Sequence, residues 1–293
     1  TIFVIILIFI FVIKGNYKLT QNIMLLASLF YLAYVFSAFK SNPDWGMAFK
    51  NLAWPQGIDF TAEYWRNYII IGLGVLGTTI TPWGQFFISS FGLDKKISST
   101  KLKFSQIEAY WGAFMTDFFS FFMIVATAAT LFVNKITLID GAQASWAIEP
   151  FAGKLAATLF AVGIMNAGFM GVVIIGLTTT YAFSEFFGLT GSLDAPYNKS
   201  KIFYSVFISQ ILIAFLISLL PVIDLFKIVV AVQILNAMAL PPIFYFLIKF
   251  TNNPEIMGRY INNKFQKWFA TIGTLIILVA SIFTTIYTVL TFK

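Results

Sequence analysis

The sequence predicts an all-α integral membrane protein with several spans. Three observations carry that prediction. Only 11% of the 293 residues are charged, where soluble domains run near a quarter. Mean hydropathy is +0.85. The apolar residues fall in runs of about 20 or more, the length a helix needs to cross a bilayer. A transmembrane barrel would instead show short segments alternating apolar and polar positions, and none are present.

Eight hydrophobic segments follow in order. The first, 2–13, is shorter than a span. It opens as "TIFVIILIFIFVIK" with no initiator Met, basic leader or small-residue cleavage site. The expectation is therefore a chain that lacks upstream spans. Segment 20–39 lies between the joints "KGNYKLTQN" and "KSNPDWG". Segment 66–92 ends at "GLDKKISSTKLK". Segments 105–133 and 154–187 are longer than a simple span, so they tilt or project beyond the bilayer. Segments 202–221, 228–250 and 267–291 are divided by "LPVIDLFK" and "TNNPEIMGRYINNK". No low-complexity linker interrupts the series, which predicts one transmembrane domain over 1–293; its oligomeric state is left open, with a monomer favoured.

Charge sets the orientation. Alternate joints hold twelve basic residues: Lys14, Lys18, Lys95, Lys96, Lys101, Lys103, Lys199, Lys201, Lys249, Arg259, Lys264 and Lys267. The opposite side holds seven. The richer side is expected in the cytoplasm of a multi-pass cell-membrane protein. The net charge of +7 thus reads as topology, with no call for a nucleic-acid partner; the partner is the lipid bilayer. The loop 40–65 falls outside, with Trp45, Trp54 and Trp65 as interfacial anchors. The chain has no cysteine and no histidine. That removes disulfides, thiolate metal sites and the usual proton shuttle near neutral pH. No nucleophile elbow, zinc-protease motif or phosphate loop is present, so an enzyme is not expected.

The most informative stretch is "GTTITPWGQFFISS", residues 77–90. Pro82 removes a backbone donor and clashes with the preceding turn. It also pushes Thr81 away from helical geometry. Gly72, Gly74, Gly77 and Gly84 loosen the same segment. An unwound bridge near 78–82 is expected, splitting the segment into two half-helices. Free carbonyls at membrane depth are tolerated where they line a cavity, and secondary transporters use such ends to hold cations. The bland alternative is a proline kink whose hydroxyls bond back to the backbone.

Gly77-Thr78-Thr79-Ile80-Thr81-Pro82-Trp83 resembles the sixth-helix pattern of NRAMP metal transporters, G-[AT]-T-x-M-P-H. "LFAVGIMNAGFMGVVIIGLTTTYAFSEFFG" (159–188) is similar to that family's eighth helix, and "AVQILNAMALPPIFYFLIKFTNNPEIMG" (231–258) to its tenth. The resemblance implies a LeuT-like inverted-repeat transporter fold, with this chain as helices four to eleven. It places the family's metal-binding methionine at Thr81 and its proton-linked histidine at Trp83. Thr-Pro-Trp-Gly at this point resembles the NRAMP-related magnesium transporters, a divergent branch that carries Mg²⁺ and Mn²⁺ without proton coupling. The chemistry agrees: a thioether suits softer transition metals, whereas hydroxyls, carbonyls and water suit Mg²⁺.

Asp117, in "AFMTDFFSFFMIV", is the mid-span acid. A charge there costs at least ~2.5–3.5 kcal/mol on insertion scales, so it is expected to face a cation path. A structural Asp bonded to Thr116 or Ser120 is the alternative. Gln233 and Asn236 share one helix face; the resemblance implies that Gln233 approaches the ion, and interhelical bonding is the other reading. The expected metal set is Thr78, Thr81, Gln85, Asp117, Gln233 and Asn236, with Mg²⁺ or Mn²⁺ as cargo and no cofactor. Glu108 and Glu185 read as interfacial, and Asn166 with Gly163 and Gly168 as close helix packing. Competing functions are a proton-coupled Mn²⁺/Fe²⁺ transporter, a sodium-coupled organic-solute carrier of the same fold, and a non-transporting sensor.

Overall fold

The computed structural model describes residues 17–291 apart from 55, 60, 96, 137–140, 190, 194, 196 and 221–224. The expected first segment, 2–13, lies outside the described residues. Those residues form helices and no strand. In chain order they are α1 (Tyr17–Ser28), α2 (Leu32–Lys40), α3 (Trp45–Ala53), α4 (Ala62–Thr79), α5 (Pro82–Asp94), α6 (Leu102–Thr127), α7 (Gly141–Phe186), α8 (Lys201–Ser218), α9 (Leu225–Thr251), α10 (Pro254–Met257) and α11 (Lys264–Thr291). Seven stretches are long and apolar enough to cross a membrane. They correspond to the seven later segments read from hydropathy, with ends displaced by a few residues.

Besides the four-residue α10 in the joint after residue 250, two further helical stretches were not anticipated. α3 lies in the expected outer loop, where Asp44 caps it by accepting from the Met47 amide at 2.9 Å. The Asp-Trp-Gly sequence after Pro43 carried that capping signal. The first part of α7 occupies the expected joint before residue 154. Gly153, at φ 85° and ψ 163°, divides α7, and the span proper runs Gly153–Phe186. Only glycine takes that backbone region without strain.

The described residues group into two compact units, one within 1–57 and 86–221, the other within 58–85 and 222–293. In the first unit, α2 packs against α6 and α7. Ala38, Ala126 and Ala156 are fully buried at these contacts, because small side chains let membrane helices approach closely. Tyr34 fills the same core beside Phe160, with ring centroids 5.3 Å apart. Gly163 makes room for it: a Cβ there would sit 2.7 Å from the Tyr34 ring. A 3-10 turn at Leu29–Tyr31 separates α1 from α2. Beside it, the Asn166 amide donates to the Ala27 carbonyl at 2.9 Å. The packing expected of Gly163 and Asn166 is therefore present, whereas Gly168, expected with them, has open space around it.

A second core in this unit joins α7 to α8 through Val173, Leu177, Tyr181, Phe203, Tyr204, Phe207 and Ile211. Gly176 receives the Phe207 ring edge, and its carbonyl accepts from Gln210 Nε2 at 2.7 Å. In the second unit, α9 lies between α4 and α11 in contact with both. The tightest approach is at Gly77 on α4. A Cβ there would run into the main-chain carbonyl of Gln233 and lie 3.0 Å from the amide nitrogen of Ala237. Backbone meets backbone at this point, and only glycine permits it.

Two packing predictions follow from these contacts. Phe207→Ala opens a cavity in a fully buried position and should cost about 3–5 kcal/mol, read as a lowered thermal midpoint in detergent. Phe186→Ala, at an 82% exposed position, should leave that midpoint within a degree or two. Gly77→Ala should cost about 1–3 kcal/mol by overpacking, whereas Gly72→Ala, with open space around it, should be neutral or stabilising.

Candidate functional site

The site is built where α4 stops. Ile80 donates its N–H to Leu76 at 2.9 Å and closes the last helical bond, with Ile80 itself at φ −111° and ψ 86°. Beyond that bond the carbonyls of Gly77, Thr78 and Thr79 have left the helical ladder. The Thr78 carbonyl would ordinarily receive the amide of residue 82, but that residue is proline and has none. Helix α5 then begins with Pro82 as its first residue, where a missing donor costs nothing. The expected bridge over 78–82 is corrected to Ile80 and Thr81 alone. Thr78 and Thr79 remain helical, and Pro82 is accommodated as a helix start.

The two ends facing this break are electrostatically different. The C-terminal end of α4 presents carbonyl oxygens and the negative end of a helix dipole, which favour a cation. The N-terminal end of α5 presents amides, and two of its early positions are already accounted for. Pro82 has no N–H, and Gly84 donates to the Thr81 carbonyl at 3.2 Å. Gly84 also sets the Thr81 side chain: a Cβ there would lie 2.6 Å from Thr81 Oγ1. Thr81 therefore has space for its hydroxyl that a larger residue 84 would remove.

Helix α9 brings amides to the same neighbourhood. Its turn from Gln233 to Ala237 lies on Gly77, four residues before Thr81. Asn236 Nδ2 donates to Gln233 Oε1 at 2.9 Å. The pair is half-buried, and the bond fixes the two side chains relative to each other. Asn236 Oδ1 is left as an acceptor with no bonded partner among the described residues.

Five of the six expected metal residues, Thr78, Thr81, Gln85, Gln233 and Asn236, fall in the second unit, while Asp117 falls in the first. Thr78 is exposed on α4; Thr81 and Gln85 are half-buried. The close approach at Gly77 was not anticipated as a contact, although Gly77 was visible as one of four glycines near the break. Asp117 is exposed on α6, and its carboxylate makes no hydrogen bond among the described residues. Thr116, offered as its structural partner, donates to the Gly112 carbonyl at 3.0 Å instead. Glu108 pairs with Lys95 at 2.6 Å, which suits the interfacial placement read for it. No group of three or more acidic side chains able to hold a metal occurs among the described residues.

Comparison with known proteins fits this architecture. The family described as natural resistance-associated macrophage protein-like matches residues 1–287. Similar proteins include the divalent metal cation transporter MntH of Granulibacter bethesdensis, 20% identical over 90% of this chain and 58% of its own length. That of Caldanaerobacter subterraneus is 21% identical over 87% of this chain and 58% of its own. That of Pectobacterium carotovorum is 25% identical over 84% of this chain and 55% of its own. The chain thus spans a little over half the length of these relatives. With a match that runs through all seven described spans and both sides of the helix break, the chain belongs to the Nramp family, whose fold is LeuT-like, and is a multi-pass membrane protein.

Proposed function

We propose that this chain carries the ion-binding break of a secondary transporter for divalent cations, and that its cargo is Mg²⁺, with Mn²⁺ also accepted. The observation that carries the reading is the end of α4, where Pro82 withdraws the donor that Thr78 would otherwise meet and the Gln233–Ala237 turn of α9 packs alongside. The names of the relatives support a divalent metal as cargo. The donor types support a hard one. Mg²⁺ takes six oxygens near 2.0–2.1 Å and keeps several waters. Carbonyls of 77–79, the Thr81 hydroxyl and the Asn236 amide oxygen offer only oxygen, with no sulfur from Thr81.

Within this reading Thr78 contributes its main-chain carbonyl and Thr81 its hydroxyl. Gln233 fixes Asn236 through their mutual bond and leaves Asn236 Oδ1 as the oxygen donor to the ion, and Gln85 stands one turn into α5. Asp117 acts apart from them. An unpaired carboxylate inside a span is stable only where water or a cation reaches it, so Asp117 draws cations toward the transport path. The chain works as one transmembrane domain by alternating access, rocking one group of helices against another. Transport proceeds without proton coupling, since residue 83 is tryptophan and the chain holds no histidine. A proton-coupled Mn²⁺/Fe²⁺ carrier is the second reading, favoured by the family itself; Thr81 and Trp83 count against it.

Uptake by the purified protein in proteoliposomes tests the assignment. Mg²⁺ should enter and should compete with Mn²⁺, and the lumen should not acidify; Cd²⁺ entry without Mg²⁺ entry, or acidification that tracks Mn²⁺, would overturn it. Gln233→Ala should weaken apparent metal affinity about 10–100-fold, as loss of a ligand-orienting partner does, with protein yield unchanged. Thr81→Met should move preference toward Cd²⁺ and Mn²⁺ at the expense of Mg²⁺, measured by competition in the same assay.

A further inference from the structure

The short helix α3 packs on the core of the first unit at its N-terminal turn. Four residues, 41–44, separate it from the span that ends at Lys40, so its first turn lies at the edge of that span. Trp45 and Ala48 pack on the core of α2, α6 and α7. The Trp45 ring lies tilted against Phe39 with centroids 4.8 Å apart, and Phe49 stacks on Phe121 at 5.5 Å. At 3.6 residues per turn, Trp45, Ala48, Phe49 and Leu52 form one stripe. Protein covers that stripe only at its start. Leu52 is 69% exposed and the following Trp54 74%. Lys50, Met47 and Asn51 occupy the other face and are also exposed.

We propose that α3 is an interfacial anchor whose second turn inserts Leu52, the outer edge of Phe49 and Trp54 into the headgroup–acyl boundary, with Lys50 toward the lipid phosphates. The occupant of the uncovered stripe is the bilayer itself, because the preceding span delivers α3 to that depth within four residues. The stripe and the polar face also have the arrangement of a helix lying in the membrane plane. A tryptophan just past the helix end suits the interface, where an aromatic ring with one polar edge is favoured. The basic-residue count puts this anchor on the outer side.

Site-directed spin labelling tests it in a chain that has no native cysteine. Single variants Leu52→Cys and Lys50→Cys, labelled in the purified protein in liposomes, are compared for collision with oxygen and with a water-soluble nickel chelate. The Leu52 label should favour oxygen and the Lys50 label the nickel chelate, a reversal across one helix. Equal and high nickel access at both positions would place α3 in water and overturn the proposal; low access to both agents at position 52 would mean protein covers it, which also overturns it. Should either variant fail to fold, Trp54→Cys and Asn51→Cys provide the same contrast at exposed positions.

Discussion

The absence of one N–H, that of Pro82, is the constraint on which the candidate site depends. An α-helix in a bilayer satisfies its own backbone, residue by residue, because hydrocarbon offers no alternative partner. Proline withdraws a donor from that closed account at one place and forces Thr81 out of helical geometry. The chain could have absorbed this as a kink, with hydroxyls bonding back to freed carbonyls. It divides instead: α4 ends at Thr79, α5 starts at Pro82, and two residues between them are not helical. Ends of opposite polarity then face the same gap, and the carbonyl end is the one left with unused acceptors.

Gly77 adds a close helix contact to that local event. Without a side chain, it allows the main chain of α9 at Gln233 to touch α4 one turn before the break. The helix turn that carries Gln233 and Asn236 thus lies against α4 at Gly77. Their mutual hydrogen bond removes one amide oxygen from play and leaves another. Gly84 acts on the far side of the break in the same way, keeping space for the Thr81 hydroxyl. Two glycines and a proline, none of which would bind an ion through a side chain, determine where the oxygen donors stand.

Much of this was legible in the sequence. Hydropathy located the seven described spans, since a span is set by length and apolarity alone. Proline with flanking glycines located the break, though not its width. The width depends on whether Thr78 and Thr79 keep their own amide bonds to the turn before, which propensity cannot decide. Gln233 and Asn236 could be placed on one face by spacing, but their bond to each other required side-chain positions. α3 went unread because its nine residues sit in a polar loop, where the Asp44 cap was the one local signal. The division at Gly153 was hidden for a different reason: hydropathy reports the start of the apolar run, not the shorter helix that precedes it. For Asp117, composition marked the cost of the charge, while only coordinates could show that Thr116 does not repay it.

The central claim is that oxygen donors around Thr78 and Thr81 hold a hard divalent cation. Anomalous scattering from crystals soaked in Mn²⁺ tests it most directly, because manganese takes the same oxygen ligands as magnesium and is visible where magnesium is not. A peak within coordination distance of the Thr78 carbonyl and the Thr81 hydroxyl, lost when Mg²⁺ is added in excess, is the predicted result. A peak confined to methionine sulfur, or none at the break under saturating Mn²⁺, would contradict the account.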